Sequence, residues 1–309
     1  MSMVKYILKR LLMLIPVMVG ISLFIYLVLS LAPGDPARMI LGMDALPEDI
    51  EALREELGLN KPLLIRYGLY MWDALHGDFG TSWYQRFDVA SEFFHRLPNT
   101  FWLAFIANAF SIIIGIPVGI IAAVRHNKPA DYVVTFFSLL LCSAPGFWLG
   151  MLAQLLFCIR LGWLPSSGVG SFAHFILPAL TMGGGIIAIN MRTTRTWLLD
   201  SIRSDYVRTA RAKGAREGRV IVHHAMRNSM LPVITGLGMN FAACMAGTAV
   251  TETVFAIPGI GSFITTGVKT KDIPIVLCSV IIIALMVGLV NLIVDIIYAV
   301  VDPRVKLGS

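Results

Sequence analysis

The sequence contains few arrangements of residues that could support catalysis. The nearest approach to a nucleotide-binding loop runs from Gly261 to Thr270. Phosphate binding needs a GxxxxGK[ST] spacing, in which backbone amides and one lysine hold the phosphates. Here Gly267 comes one residue late, and a valine separates it from Lys269. No GxSxG or HExxH pattern occurs either. The sequence predicts a protein that is not an enzyme and binds no cofactor itself.

The residue types that usually bind metals are poorly placed for it. None of the cysteines forms a CxxC pair, and all lie in apolar runs, which is typical of small packing residues. They are Cys142, Cys158, Cys244 and Cys278. His223 and His224 are adjacent, and neighbouring side chains on a helix point about 100° apart. We predict no metal site.

Five polar side chains lie in or beside long apolar runs. They are Asn108, Gln154, Asn190, Asn240 and Glu252. Polar groups at membrane depth usually face the protein interior, where they line a solute pathway or form hydrogen bonds between helices. The sequence leaves both interpretations open, and we take the five as candidate pathway residues.

A charged segment around residues 204–214 has the signals of a short helix. Ser204 suits the N-cap, Asp205 suits the first turn and Gly214 suits the position after the last turn. We expect a helix over Asp205–Lys213, roughly 13 Å long at 1.5 Å per residue.

The two faces of this predicted helix differ. Val207 and Ala210 share one face, and Arg208 and Arg211 share another. One interpretation is a rigid lever that offers small residues and guanidinium groups to a protein partner. The alternative is a basic helix lying on anionic lipid.

The elements that must position these residues are membrane spans. The chain has 309 residues, of which 57% are hydrophobic and 14% charged, whereas soluble domains carry about 25% charged residues. An all-α membrane protein with about six spans is therefore predicted, each span needing about 20 apolar residues. The uncharged stretches are Leu11–Ala32, Phe101–Val124, Tyr132–Ile159, roughly Phe175–Met191, Ser229–Thr251 and Ile273–Val294. We expect a bend at Cys142–Gly146, where Pro145 interrupts the third span.

Basic residues predict the orientation. Of the 25 Lys and Arg residues, 16 fall in the segments that would share one side. Those segments are 1–10, 125–131, 192–228 and 295–309. By the positive-inside rule we expect both termini to be cytoplasmic. The charge excess of +6 is thereby explained without nucleic acid.

The predicted organisation has five parts. A cytoplasmic N-terminus, 1–10, precedes the first span, 11–32. An external loop, 33–100, is long enough to hold structure, and we expect helices at Pro47–Leu57 and Leu63–Leu75. This loop either caps the external mouth or docks a partner. A five-helix core, 101–300, contains the loop 192–228, and 301–309 form a cytoplasmic C-terminus.

Residues 205–214, followed by His224–Asn228 and Pro232, resemble the EAA loop of bacterial ABC-importer permeases. In that pattern two alanines precede a glycine by four and five residues. Ala210 and Thr209 stand there in this sequence, and Arg208 replaces the glutamate. This variant resembles the oligopeptide/dipeptide/nickel branch. Further matching motifs are Pro33–Pro36, Gly77–Gly80, Gly162–Pro165, Glu252–Phe255, Pro258–Gly259, Asn291–Asp295 and Asp302–Pro303.

The resemblance implies the type I permease fold and a heteromeric importer. A similar second permease would complete the pathway, two cytoplasmic ATPases would use ATP and Mg²⁺, and an extracytoplasmic binding protein would deliver substrate. The residues expected to couple to an ATPase are Asp205, Tyr206, Arg208, Thr209, Ala210, Arg211, Lys213 and Gly214.

The same resemblance favours di- or oligopeptides as the substrate. Nickel or metal-chelate complexes and glutathione are the alternatives. A more distant alternative is a stand-alone ion-coupled transporter, although the six apolar runs contain no acidic residue to bind a coupling ion.

Overall fold

The computed structural model describes residues 3–42, 44–247 and 249–301, and within these ranges the side chains of residues 3, 227, 228, 231 and 298–301 are excluded. Outside this description lie the side chains of the motif residues Arg227 and Asn228, the motif Asp302–Pro303, and the predicted segment 301–309 beyond Val301. The N-terminal helices are α1 (Met3–Leu31), α2 (Pro36–Leu41), α3 (Pro47–Glu56) and α4 (Leu63–Leu75).

The remaining chain is also helical, and no strand occurs among the described residues beyond one isolated bridge between Thr81 and Asp88. Its helices are α5 (Val89–Phe110), α6 (Ile116–Val124), α7 (Pro129–Ser143), α8 (Gly146–Ala153), α9 (Ala173–Arg203), α10 (Asp205–Ala212), α11 (Glu217–Arg219), α12 (Met226–Ala246), α13 (Ala249–Val254), α14 (Ile260–Thr270) and α15 (Ile273–Val301). Three segments are wound as π-helix: Ser111–Gly115, Gln154–Arg160 and Val220–Ala225.

Each predicted span coincides with a helix or a bent pair of helices. Among the described residues, four helices are long and apolar enough to cross a membrane: Val4–Leu31, Val89–Val124, Ala173–Arg203 and Ile273–Ile297. A fifth crossing requires counting α7 and Gly146–Arg160 as one span, and the apolar part of α12, Pro232–Ala246, is shorter. The prediction of an all-helical protein with about six spans is confirmed.

Several helices are longer than the predicted spans, whose bounds in the membrane stay a prediction. The second helix begins at Val89 rather than Phe101, so the end of the predicted loop 33–100 belongs to it. The fourth continues from Met191 to Arg203, so the loop 192–228 begins as helix. The reason is that backbone hydrogen bonding continues past the apolar stretch, because charged side chains beyond the hydrocarbon do not end a helix.

The third span bends as predicted. α7 and Gly146–Arg160 meet at 102°. Ala144 is extended with ψ 131°, as expected for a residue that precedes proline. The bend packs on α9, because Cβ atoms built on Gly146 and Gly150 would lie 3.9 and 3.0 Å from atoms of Thr181.

α9 is the central helix of the core and contacts α5, α6, α7 and α12. Two glycines four residues apart let the chain around the start of α6 come close to the backbone of α9. A Cβ on Gly115 would lie 3.0 Å from the carbonyl oxygen of Ile187, and one on Gly119 would lie 2.7 Å from that of Met191. Small residues at this spacing let membrane helices meet backbone to backbone.

The predicted helices in the external loop are confirmed. α4 has the predicted bounds, and α3 ends at Glu56, one residue early. Gly58 adopts φ 66° after α3. Its amide donates to the Glu55 carbonyl, and the Leu59 amide donates to the Arg54 carbonyl at 2.8 Å. These are the two bonds of a Schellman C-cap.

Candidate coupling and pathway sites

Both ends of α10 are set by local sequence. Ser204 is extended at the N-cap, although its hydroxyl donates to the Ser201 carbonyl instead of capping α10. At the other end Gly214 has φ 79°, a conformation that costs glycine little. The Gly214 amide donates to the Arg211 carbonyl at 2.9 Å, and the Ala215 amide donates to the Ala210 carbonyl at 3.3 Å. The helix is therefore short and closed by a Schellman turn.

One face of α10 packs on the membrane helices. Val207 is fully buried and Ala210 is 8% exposed. They form a cluster with Ala123 at the end of α6, Leu198 of α9 and Ala225. The expectation that the small residues are open to a partner is wrong for Ala210, because its methyl group fills space inside this chain.

Hydrogen bonds reinforce this apolar seat. The Ser201 hydroxyl, on the last turn of α9, donates to the Ala225 carbonyl at 2.8 Å and also bonds the Tyr206 hydroxyl. The start of α10 is thus joined to the end of α9 and to the residue that precedes α12. α10 is therefore attached to two helices of the core.

The other face of α10 is exposed. The side chains of Asp205 and Arg208 are 97% and 77% exposed, with 3.7 Å between their charged atoms. Other exposed residues on α10 and its C-terminal turn are Tyr206, Thr209, Arg211, Lys213 and Gly214. This surface carries charge and hydrogen-bonding groups.

Arg211 is held by a partner beyond the turn. Its Nε and Nη2 donate to the two carboxylate oxygens of Glu217, at 3.1 and 2.6 Å. These bonds lower the pKa of the Glu217 carboxyl below its usual range. The pair closes the loop between α10 and α11, so Arg211 is less available to a partner than Arg208.

An ionic contact between distant parts of the chain was not predicted. Arg195 of α9 donates to both carboxylate oxygens of the buried Asp131, at 2.6 and 2.8 Å, and His126 lies 3.1 Å from the same carboxylate. These contacts fix the turn between α6 and α7 against α9. Asp131 and Arg195 are 64 residues apart, and nothing in their local sequence pairs them.

Three pathway candidates meet inside the bundle. The Asn190 amide donates to Ser111 Oγ at 3.1 Å and accepts from the Asn240 amide at 3.5 Å. Ser111 in turn donates to the carbonyl of Asn108, whose own amide donates to the Ala104 carbonyl. These bonds connect α5, α9 and α12 within the membrane core. They match the helix–helix interpretation, and a pathway role for the three asparagines stays a prediction.

The other two candidates lie near one another but away from the asparagines. Glu252 is fully buried, with Oε1 accepting from Thr100 Oγ1 at 2.6 Å and Oε2 from the Ser262 amide at 2.7 Å. Gln154 donates to the carbonyls of Ser166 and Val254. Both therefore join separate segments of the chain, and their role in a pathway also stays a prediction.

Two family models match this sequence. Residues 115–307 match the binding-protein-dependent transport system inner membrane component, and residues 3–104 match the N-terminal part of such membrane components. This chain belongs to that family. It is a multi-pass inner-membrane permease subunit of an ABC importer, as its residues 205–214 indicate by resemblance.

Individual relatives agree with the family. The permease is 40% identical over 304 residues to the glutathione transport system permease protein GsiC of Escherichia coli K12, covering 98% of this chain and 99% of the relative. It is 39% identical over the same length to GsiC of Salmonella typhi.

A solved structure shares the fold. A structure described as an inward-facing conformation of the MetNI methionine ABC transporter superposes with a TM-score of 0.57 at 18% identity, covering 68% of the permease and 96% of that chain. The fold of an ABC-importer permease is confirmed. Importers of this family depend on a binding protein and an ATPase, and the permease subunit is not itself catalytic.

Proposed function

We propose that this permease forms half of the pathway of an importer for short peptides, with glutathione as the first candidate substrate, and that α10 docks on a cytoplasmic ATPase. A second, similar permease would form the other half, two ATPases would use ATP and Mg²⁺, and a binding protein would deliver the substrate. This chain contributes the membrane pathway and the mechanical link.

The coupling role is supported by the two-sided character of α10. Its buried face is fixed to α9 and to the start of α12, whereas Asp205, Arg208 and Lys213 point outward. ATP binding that draws the ATPases together would pull on this exposed face. Because α10 is anchored through Val207 and Ser201, the motion would rock the core helices between two states.

A charge reversal on α10 tests the coupling. Arg208→Glu keeps the helix intact, because the side chain is exposed, but reverses the charge that α10 offers to the proposed ATPase. Arg216→Glu, an exposed arginine in the same loop, is the matched control. We expect Arg208→Glu alone to lower substrate-stimulated ATPase activity and uptake at least about tenfold, the loss of one charge-assisted contact. Normal activity of an assembled Arg208→Glu complex contradicts the proposal.

The substrate proposal is supported by the whole-chain similarity to permeases named for glutathione transport. Uptake of labelled glutathione is measured in cells that carry or lack this chain, with dipeptides, longer peptides and nickel chelates as competitors. Competition by short peptides supports a peptide importer. Uptake of nickel alone assigns the other alternative.

The proposed orientation places α10 and both termini in the cytoplasm. It is supported by the nine Lys and Arg residues of the 192–228 segment. The orientation is tested by labelling an Arg216→Cys variant with a membrane-impermeant maleimide. Labelling that occurs only after the cells are opened supports this orientation. Labelling in intact cells reverses it.

A further inference from the structure

A cavity of about 440 Å³ lies between the end of α1, α4 and the start of α15, on the side of residues 33–88. Its walls include Tyr26 of α1, Arg66 and Tyr70 of α4, and Ile273 of α15. A smaller cavity of about 280 Å³ shares Arg66 and Ile273 with it. Neither contains a residue of the coupling or pathway sites.

Three residues that line this cavity each have a buried polar atom with no hydrogen-bond partner among the described residues. These atoms are the hydroxyl oxygens of Tyr26 and Tyr70 and the Nε of Arg66. Tyr26 is 3% exposed, and the guanidinium carbon of Arg66 lies 6.0 Å from the centre of its ring. Buried polar groups are nearly always paired, and leaving them unpaired is costly. Two hydroxyl donors and a guanidinium together fit an anionic oxygen group.

The charges of the cavity favour an anion. Glu56 is already paired with Arg86 at 2.9 Å. The remaining charged residues of the wall are Lys61, Arg66 and Asp73. Asp73 lies two turns beyond Arg66 on α4, about 10 Å along the axis, so the guanidinium can accept a separate anion.

α4 also carries an exposed apolar stripe beside this cavity. The exposed residues of the stripe are Leu64, Ile65, Leu69, Trp72 and Leu75, and Leu69 lies in the cavity wall as well. Indole rings are enriched where membrane meets water. A group bound at Arg66 therefore sits next to a surface suited to hydrocarbon chains.

Hydrogen bonds fix the depth of α4 along α1. The Tyr67 hydroxyl bonds Ser22 Oγ at 2.8 Å and donates to the Val19 carbonyl at 3.1 Å. Ser22 lies nine residues before the end of α1, about 13 Å along the helix axis. Because α1 is a membrane span, α4 lies at a depth that lipid reaches.

We propose that this cavity binds the phosphate of a phospholipid from the adjacent leaflet. Arg66 binds the phosphate oxygens, a small shift of the side chains brings the buried hydroxyls of Tyr26 and Tyr70 onto the same group, and the acyl chains lie along the stripe of α4. The site depends on neither the proposed substrate nor the coupling role of α10.

Lipid binding to the full-length permease, purified in detergent with its partner subunits, tests this site. Native mass spectrometry measures binding of short-chain phosphatidylglycerol, and inorganic phosphate is titrated separately by thermal shift. Arg66→Gln removes the guanidinium. Arg38→Gln is the matched control, because Arg38 is exposed on the same side and outside both cavities.

We expect Arg66→Gln to weaken lipid binding at least about tenfold, with Arg38→Gln unchanged. The double variant Tyr26→Phe/Tyr70→Phe, which removes only two hydroxyls, should weaken it severalfold and serves if Arg66→Gln does not fold. Equal lipid binding by wild type and both cavity variants overturns the proposal. Inorganic phosphate binding as tightly as the lipid overturns it as well, since the site would then take a soluble anion.

Discussion

At the scale of single residues, the buried acid Glu252 joins three segments. Its carboxyl group accepts from Thr100 of α5 and from the Ser262 amide in the first turn of α14. Thr100 Oγ1 also accepts from the Ile260 amide at 2.8 Å. Free amides at a helix N-terminus favour a negative group, so Glu252 and Thr100 together cap α14 from outside.

Removing this cap should destabilise the permease. We expect Glu252→Ala to lower the free energy of unfolding by about 1–3 kcal/mol, because the Thr100 hydroxyl and a buried amide lose their partners. The drop in the thermal midpoint in detergent measures it. Thr253→Ala, one residue away and bonded only to the Ala249 carbonyl of its own helix, should change little. Equal midpoints for the two variants contradict the capping role.

The Arg211–Glu217 pair gives a pH dependence at the end of α10. Its hydrogen bonds lower the folded-state pKa of Glu217. The pair therefore stabilises the folded state above the unfolded-state pKa of Glu217, and this stabilisation is lost as pH falls through the folded-state pKa. Since the pair is exposed it is worth only about 0.2–1 kcal/mol. We expect hydrogen exchange over residues 205–217 to be faster in Glu217→Gln than in wild type at pH 7. At strongly acidic pH the two proteins should exchange at the same rate. A difference that persists in acid contradicts this expectation.

At the scale of elements, turn chemistry fixes the length of α10. Gly214 has a positive φ and closes the helix by two backbone bonds, whereas Gly218 has an ordinary φ and open space around its Cα. The two glycines stand in the same loop, and only one is required by backbone geometry.

Gly214→Ala should therefore weaken the coupling element where Gly218→Ala does not. A side chain at φ 79° costs about 1–2 kcal/mol, while alanine in a helical position is neutral or stabilising. Hydrogen exchange over 205–215 and ATPase stimulation by substrate measure both effects. Identical behaviour of the two variants would show that the turn does not hold α10.

At the scale of the whole molecule, α1 is attached to α15 along its first half, and the segment after α1 is attached to Lys271 in the turn before α15. Near its start Arg10 pairs with Asp295 at 2.5 Å, and near its middle Leu14 fills the space over Gly288. Past its end the Lys271 ammonium donates to the carbonyls of Ala32, Pro33 and Gly34. The first and last spans are thus held together, and α2, α3 and α4 follow α1 directly in the chain.

Since the chain belongs to a family of importer subunits, it should not transport alone. Purified and reconstituted in liposomes, it is expected to accumulate no peptide under a proton or sodium gradient. Accumulation should appear only when its ATPases, second permease and binding protein are present with ATP. Gradient-driven uptake by this chain alone would assign the ion-coupled alternative.

Local features of the sequence determined the helices and turns. The apolar stretches predicted about six spans, Pro145 predicted a bend, and Ser204 and Gly214 bounded α10. These signals are local because backbone conformation and contact with lipid depend on a few consecutive residues. The motif at 205–214 likewise identified the family, because it is a continuous stretch.

The tertiary structure alone decided which polar groups meet. Asp131 with Arg195, and Glu252 with Thr100, are joined across 64 and 152 positions. Ala210 is a small residue in a charged segment, yet it is buried against α9 and Ala225. Such contacts depend on how helices far apart in sequence pack, and no short-range pattern encodes that packing. The same holds for the cavity at Arg66, whose walls come from α1, α4 and α15.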